Sequence, residues 1–124
     1  MRHSIMTYPL IKEYVFDLQQ KLPSLHNIVL SHPDFMAAAN DNHAIVRLPH
    51  GIQITKNLIL TLNEPIDTYI IFRDLQQTFA LFAVNSKTVL ICYSDTSLRL
   101  GMLISDLIMS AREIRDLLTN GTSE

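Results

Sequence analysis

The chain has 124 residues, with 10 lysines and arginines against 12 aspartates and glutamates, a formal charge of -2. That length holds one domain, and so even a balance argues against a protein that works by neutralising the phosphates of nucleic acid. Three glycines, Gly51, Gly101 and Gly121, leave no way to write a phosphate-cradling loop or a dinucleotide fingerprint, so neither a nucleotide cofactor nor nucleotide chemistry is expected.

Charged residues make up 18% of the chain and hydrophobic ones 48%, where an average domain is about 25% charged. The shortfall predicts surface that is covered by another chain. A single cysteine, Cys92, excludes an internal disulfide and a Cys-rich zinc site and points to a reducing compartment. Residues 1–16 hold no apolar signal-peptide core, and no apolar run approaches the ~20 residues that span a bilayer. The expectation is a cytoplasmic protein without membrane insertion, a single domain over residues 1–124 with its core at about 8–119.

The first helix is predicted over residues 9–22, where Ile11, Tyr14, Val15, Leu18 and Leu22 fall on one face at spacings of three and four. Pro9 suits a first turn and Pro23 closes the segment, with residues 1–7 as a loose end. Phe16 lies off the stripe. Residues 27–31 read as a short buried strand, ended by the turn formers Ser31, His32, Pro33 and Asp34. Residues 35–39 and 44–48 admit either a strand or a helical turn. A second helix is predicted over residues 49–63, because Ile52, Thr55, Ile59 and Leu62 form a stripe and Pro49 suits its start. Ile54, Leu58 and Leu60 make that helix apolar nearly all round, which demands burial on two sides.

Residues 68–73, 78–84 and 88–94 are three strands joined by turns at 74–77 and 85–87, an antiparallel meander. Asp95, Thr96 and Ser97 then cap a last helix predicted over residues 98–118. Leu100, Leu103, Ile104, Leu107, Ala111, Ile114 and Leu118 make its core stripe, and Asn120-Gly121 is a stop signal.

Chemistry-bearing residues are sparse. Of the five histidines, His3, His26, His32, His43 and His50, no two have helical ligand spacing, so no metal is expected. Cys92 sits mid-strand and reads as a small core residue, not a nucleophile. Asp34, Asp41, Asp67, Asp74 and Asp95 fall at turns or element ends, where the carboxylate serves the backbone. Arg99, Arg112, Arg115, Asp106, Glu113 and Asp116 make a solvated face on the last helix. No catalytic constellation emerges, and the chain is read as a non-enzyme. Met102 and Met109, seven apart on the face opposite the core stripe, suit a contact with another protein.

The strand Tyr69-Ile70-Ile71-Phe72, the hairpin Phe79-Ala80-Leu81-Phe82-Ala83-Val84 with Val89-Leu90-Ile91-Cys92-Tyr93, and the Leu100-Gly101 pair opening the last helix together resemble the Roadblock family. That family includes dynein light chains and bacterial regulators of the Mgl B type. Leu10 to Leu22 and Asn27 to Ser31 are similar to its first helix and strand, so the resemblance spans most of the chain. His32-Pro33-Asp34-Phe35 stands where the family carries an Asp-Gly turn, and Pro49 and Gly51 replace an Ala-rich run. The resemblance implies an α+β fold: a five-stranded antiparallel sheet, two helices on one face and one on the other, profilin-like, without an active site. It implies a homodimer formed by the third strands edge to edge and the middle helices side by side, here Ile52, Thr55, Lys56, Ile59, Leu62, Tyr69, Ile71 and Arg73. It also implies a platform for a small Ras-like GTPase, for which Met102 and Met109, with Arg99 and Arg112 of the last helix, are the candidate contact surface read from the residues themselves. The rival from another class is a small-molecule sensor or binding domain with a profilin- or PAS-like sheet. An enzyme using Cys92 or a histidine comes third.

Overall fold

The computed structural model describes residues 2–40, 50–62, 67–73, 77–95 and 99–123. Its elements run α1 (Arg2–Lys21), β1 (Asn27–Ser31), β2 (Met36–Ala38), α2 (His50–Leu60), β3 (Tyr69–Arg73), β4 (Gln77–Ala83), β5 (Val89–Asp95), a short 3-10 helix (Leu100–Met102) and α3 (Ile104–Ser123). The five strands form one antiparallel sheet in the order β2-β1-β5-β4-β3, an α+β architecture as expected.

Side chains alternate across a strand, and here both faces are covered. Ala80, Phe82, Leu90, Cys92, Ile28 and Leu30 face Ile11, Val15 and Leu18 of α1 and Leu107, Ala111, Ile114 and Leu118 of α3. Phe79, Leu81, Ala83, Val89, Ile91 and Val29 face Ile52 and Ile59 of α2. Two helices therefore cover one face and one the other. The covered strands read as near-continuous apolar runs for this reason. At roughly 1.5–3 kcal/mol per fully buried large aliphatic side chain, the two isoleucines hold α2 far less firmly than the seven buried side chains of α1 and α3 hold the opposite layer.

Two buried polar side chains tie the sheet to the connections beside it. The fully buried Asn27 accepts at Oδ1 from the backbone N–H of Ile28 and of Asn40, each at 2.9 Å, and donates from Nδ2 to the Asn40 carbonyl at 3.1 Å. These bonds fasten the chain leaving β2 to the start of β1. Ser94 donates to the Ser24 carbonyl at 2.8 Å, which ties the α1–β1 connection to β5.

The first helix begins earlier than its proline suggests. Residues 2–7, expected as a loose end, are helical, and Pro9 lies inside α1. Proline lacks the N–H that bonds the preceding turn, yet no other glycine or proline stands before it to break the helix. Residues 35–39 resolve in favour of a strand, with β2 paired Val29 to Ala38, Leu30 to Ala37 and Ser31 to Met36. The last helix starts at Ile104, not 98: Gly101 falls in the preceding 3-10 helix, and glycine inside an α-helix costs about 1 kcal/mol relative to alanine. Asn120-Gly121 does not stop it, because glycine permits a left-handed cap without requiring one. The segment 44–48, Pro49, Asn63 and the turn residues 74–76 lie outside the described residues.

Asn27→Ala removes both bonds to Asn40 from a buried site. It is expected to lower stability by about 1–3 kcal/mol in urea unfolding, whereas Phe16→Ser, at a half-exposed position, is expected to stay within about 0.5 kcal/mol. Equal effects would contradict the role assigned to Asn27.

Candidate functional site

Two surfaces carry features that folding alone does not absorb. The first surrounds β3, which ends the sheet and, among the described residues, pairs with β4 alone as a strand. Such an edge presents unpaired backbone N–H and C=O groups. Pairing of Tyr69 with Phe82 and of Ile71 with Ala80 puts Tyr69 and Ile71 on the α1–α3 face, towards the edge of the sheet. They are 40% and 41% exposed, and Tyr69 stacks on Phe82 with centroids 5.5 Å apart. On the opposite face Ile70 and Phe72 pack under α2, which lies over β4 and β3. The outer side of α2 and its exit expose Ile54, Leu58 and Leu62. An apolar strip thus wraps around the β3 edge of the sheet.

The structure distributes the residues expected at that interface. Ile52 and Ile59 are fully buried in the chain's own core, because they are the side of α2 that meets the sheet. Leu62, Tyr69, Ile71 and Arg73 are exposed. Arg73 donates from Nε to Oγ1 of its cross-strand neighbour Thr78 at 3.1 Å. Thr55 and Lys56 are partly buried, and Lys56 reaches Ser31 Oγ at 3.4 Å. Ile54 and Leu58, absent from the expected set, hold the exposed stripe; their signal was the all-round apolarity of this helix.

The second surface is on α3. Met102 and Met109 are both exposed, but Met102 lies in the 3-10 helix before α3, so the two do not stand in line on one helix. Arg99 is exposed and accepts at its carbonyl from the Met102 N–H at 3.4 Å. Arg112 is not a free cation: it grips Asp67 bidentately, Nε to Oδ1 at 2.9 Å and Nη2 to Oδ2 at 2.6 Å, and its Nη1 touches Met109 Sδ at 3.8 Å. Asp67 has φ 59°, a left-handed conformation that aspartate tolerates better than most side chains. The hydrogen bond from Arg112 holds the Asp67 carboxyl below its ordinary value, and the same bond raises the guanidinium. Arg115, expected in solvent, instead donates from Nε to the Val84 carbonyl at 2.6 Å.

Beside Met109 a groove of about 420 Å³ separates α1 from α3. Tyr14, Asp17, Leu18 and Lys21 line it from α1, Leu22 from just beyond, and Asp106, Met109, Ser110 and Glu113 from α3. The Tyr14 hydroxyl donates to Glu113 Oε2 at 2.6 Å. Burial first, then that bond, pushes Tyr14 up from 10.0 to about 12, since both favour the neutral phenol. Nothing local in sequence pointed to this groove, whose walls lie almost a chain length apart.

Cys92 is buried, and burial pushes its thiol up; a thiol held neutral there is a poor nucleophile. Among the described residues, His, Cys, Asp and Glu do not gather in threes as a metal site needs, and no helix is long and apolar enough to cross a membrane. No family model matches the sequence, and no curated protein is significantly similar to it.

Because Tyr14 is held protonated in the folded chain, its contribution to stability is complete below its ordinary value of 10.0 and is lost as the pH rises through about 12. Burial raises Tyr93 as well, so in a spectrophotometric titration the tyrosinate signal is expected to carry a late component that Tyr14→Phe reduces without abolishing it. Superimposable titrations per remaining tyrosine would contradict the groove geometry.

Proposed function

We propose that the chain is a cytoplasmic, non-enzymatic homodimeric regulator or scaffold of the Roadblock type that binds a small Ras-like GTPase. The observation that carries this reading is the apolar strip around the β3 edge. Pairing β3 with the β3 of a second copy would continue the sheet, satisfy the edge and bring the outer stripes of two α2 helices, Ile54 and Leu58, side by side. Tyr69 and Ile71 would be covered on the other face. A strip of this kind is unusual on a protein that stays alone, and the low charge content of the chain supports the same conclusion.

The GTPase half of the reading rests on the resemblance, to which the observed order of strands and helices adds support. A platform with no chemistry of its own biases a GTPase only by binding its nucleotide states with different affinity, about 1.4 kcal/mol for each tenfold. Met102, Met109, Arg99 and Arg112 are the contact surface, with Asp67 holding Arg112 against Met109. The rival sensor reading needs space between α2 and the sheet, where the buried Ile52 and Ile59 stand.

Light scattering after gel filtration is expected to give a dimer at micromolar concentration, and a monomeric mass would overturn the homodimer. Leu58→Asp should yield a folded monomer, its stability within about 0.5 kcal/mol of wild type as for an exposed site. Ile59→Asp should lose several kcal/mol of fold stability, since it buries an unpaired charge.

Against Ras-like GTPases of the same organism, loaded with GDP or a non-hydrolysable GTP analogue, the chain is expected to prefer one state. Met102→Asp with Met109→Asp should weaken that binding and leave the dimer intact. Equal binding by wild type and double variant would remove this surface, and failure to bind any such GTPase in either state would remove the GTPase.

A further inference from the structure

The groove between α1 and α3 has a chemistry distinct from the apolar strip and from the arginine side of α3. Three carboxylates, Asp17, Asp106 and Glu113, line it against one ammonium, Lys21, a formal charge of 1 − 3 = −2. Among the described residues no cation pairs with Asp17 or Asp106. The rest of the lining is mixed: Tyr14, Leu18 and Leu22 on one wall, and Ser110 with the half-exposed Met109 on the other. Leu10, also exposed, stands one turn before Tyr14 on the same stripe of α1 and extends the apolar side beyond the groove.

We propose that this groove docks a basic amphipathic helix of a partner protein, seated by an apolar side chain between Leu22 and Met109 and by lysines or arginines against Asp17 and Asp106. Length favours a polypeptide. The α1 wall runs from Tyr14 to Leu22, which at 1.5 Å per residue is about 12 Å, or roughly two helical turns. One small amine does not span carboxylates distributed over both helices along that length, whereas side chains at i, i+3 and i+4 of a helix do. Charge complementarity selects the sign, because a second acidic surface would be repelled and a basic one drawn in. Methionine at the lip suits such an occupant, its flexible thioether adapting to side chains of different shape. The site stands on the groove alone and does not depend on the partner being a GTPase.

The probe is a synthetic amphipathic peptide of leucine and lysine, about four turns long, titrated into the full isotope-labelled chain. The expected result is one peptide per chain, weaker as salt is raised, with amide shifts confined to the facing turns of α1 and α3. Asp17→Asn with Asp106→Asn, isosteric changes at rim positions, should weaken binding about tenfold, while Asn57→Ala at an exposed position of α2 should leave it unchanged. A peptide with glutamate in place of lysine should not bind. The proposal is overturned if no binding is seen, if the double variant binds as wild type does, or if the shifts map elsewhere. It is overturned in favour of a small cation if spermidine binds the groove as tightly as the peptide. It is overturned in favour of a second copy if the same amides shift on raising protein concentration alone.

Discussion

The two central strands are enclosed on both faces, and most of the structure follows from that constraint. β4 and β5 send Ala80, Phe82, Leu90 and Cys92 one way and Phe79, Leu81, Val89 and Ile91 the other, so neither layer of helices can be dispensed with. The two layers are unequal. α1 and α3 pack side by side over the strands from β2 to β4, and Tyr69 and Ile71 of β3 stay exposed on their side. α2 covers β3 and β4 on the other face through a narrow inner stripe. Tyr69 and Ile71 are exposed because, among the described residues, the helices of that layer lie over the strands beyond β3, and Ile54 and Leu58 because α2 meets the sheet by its inner stripe alone. Closing the backbone edge and covering those side chains call for the same event, the approach of another strand.

How far the sequence foretells this depends on the range of the information. β1, β4 and β5 are legible within a residue because period and β-branched content are local, and the β4–β5 register follows from a short turn. The start of α3 is not legible: Leu100, Leu103 and Ile104 continue a helical stripe, and the stripe is silent about whether Gly101 sits in an α- or a 3-10 turn. In α2 the difficulty is symmetry. Ile52 and Ile59 mark one apolar stripe and Ile54 and Leu58 another, and periodicity does not say which faces the sheet. Only the packing of Ile52 and Ile59 against Leu81 and Ile91 separates inside from outside. The groove is the extreme case, since the bond from Tyr14 to Glu113 joins residues 99 positions apart.

The polar groups of α3 show how surface charge acquires a structural role without adding much stability. Asp67 and Arg112 are both substantially solvent-accessible, and exposed pairs are worth little once screening and side-chain entropy are counted. The consequence of the bidentate grip is directional. It fixes Arg112 beside Met109 and ties α3 to the residues leading into β3. Arg115, three residues on, reaches inward to the Val84 carbonyl, so two arginines read from sequence as one solvated face do different things. One helix repeat earlier than Arg112, Met109 borders both the arginine side and the acidic groove.

That arrangement separates the surfaces a scaffold would use. The strip around β3 is built from α2 and the sheet edge, while the acidic groove is built from α1 and α3, so covering one buries none of the residues of the other. Their chemistry is also unlike. A strand edge flanked by isoleucine and leucine is satisfied by another edge of the same kind, whereas a groove carrying net negative charge repels an acidic surface and selects a basic one. A chain of this length can discriminate between partners in this way, by placing unlike surfaces on separate parts of one sheet and fastening both to the same two central strands.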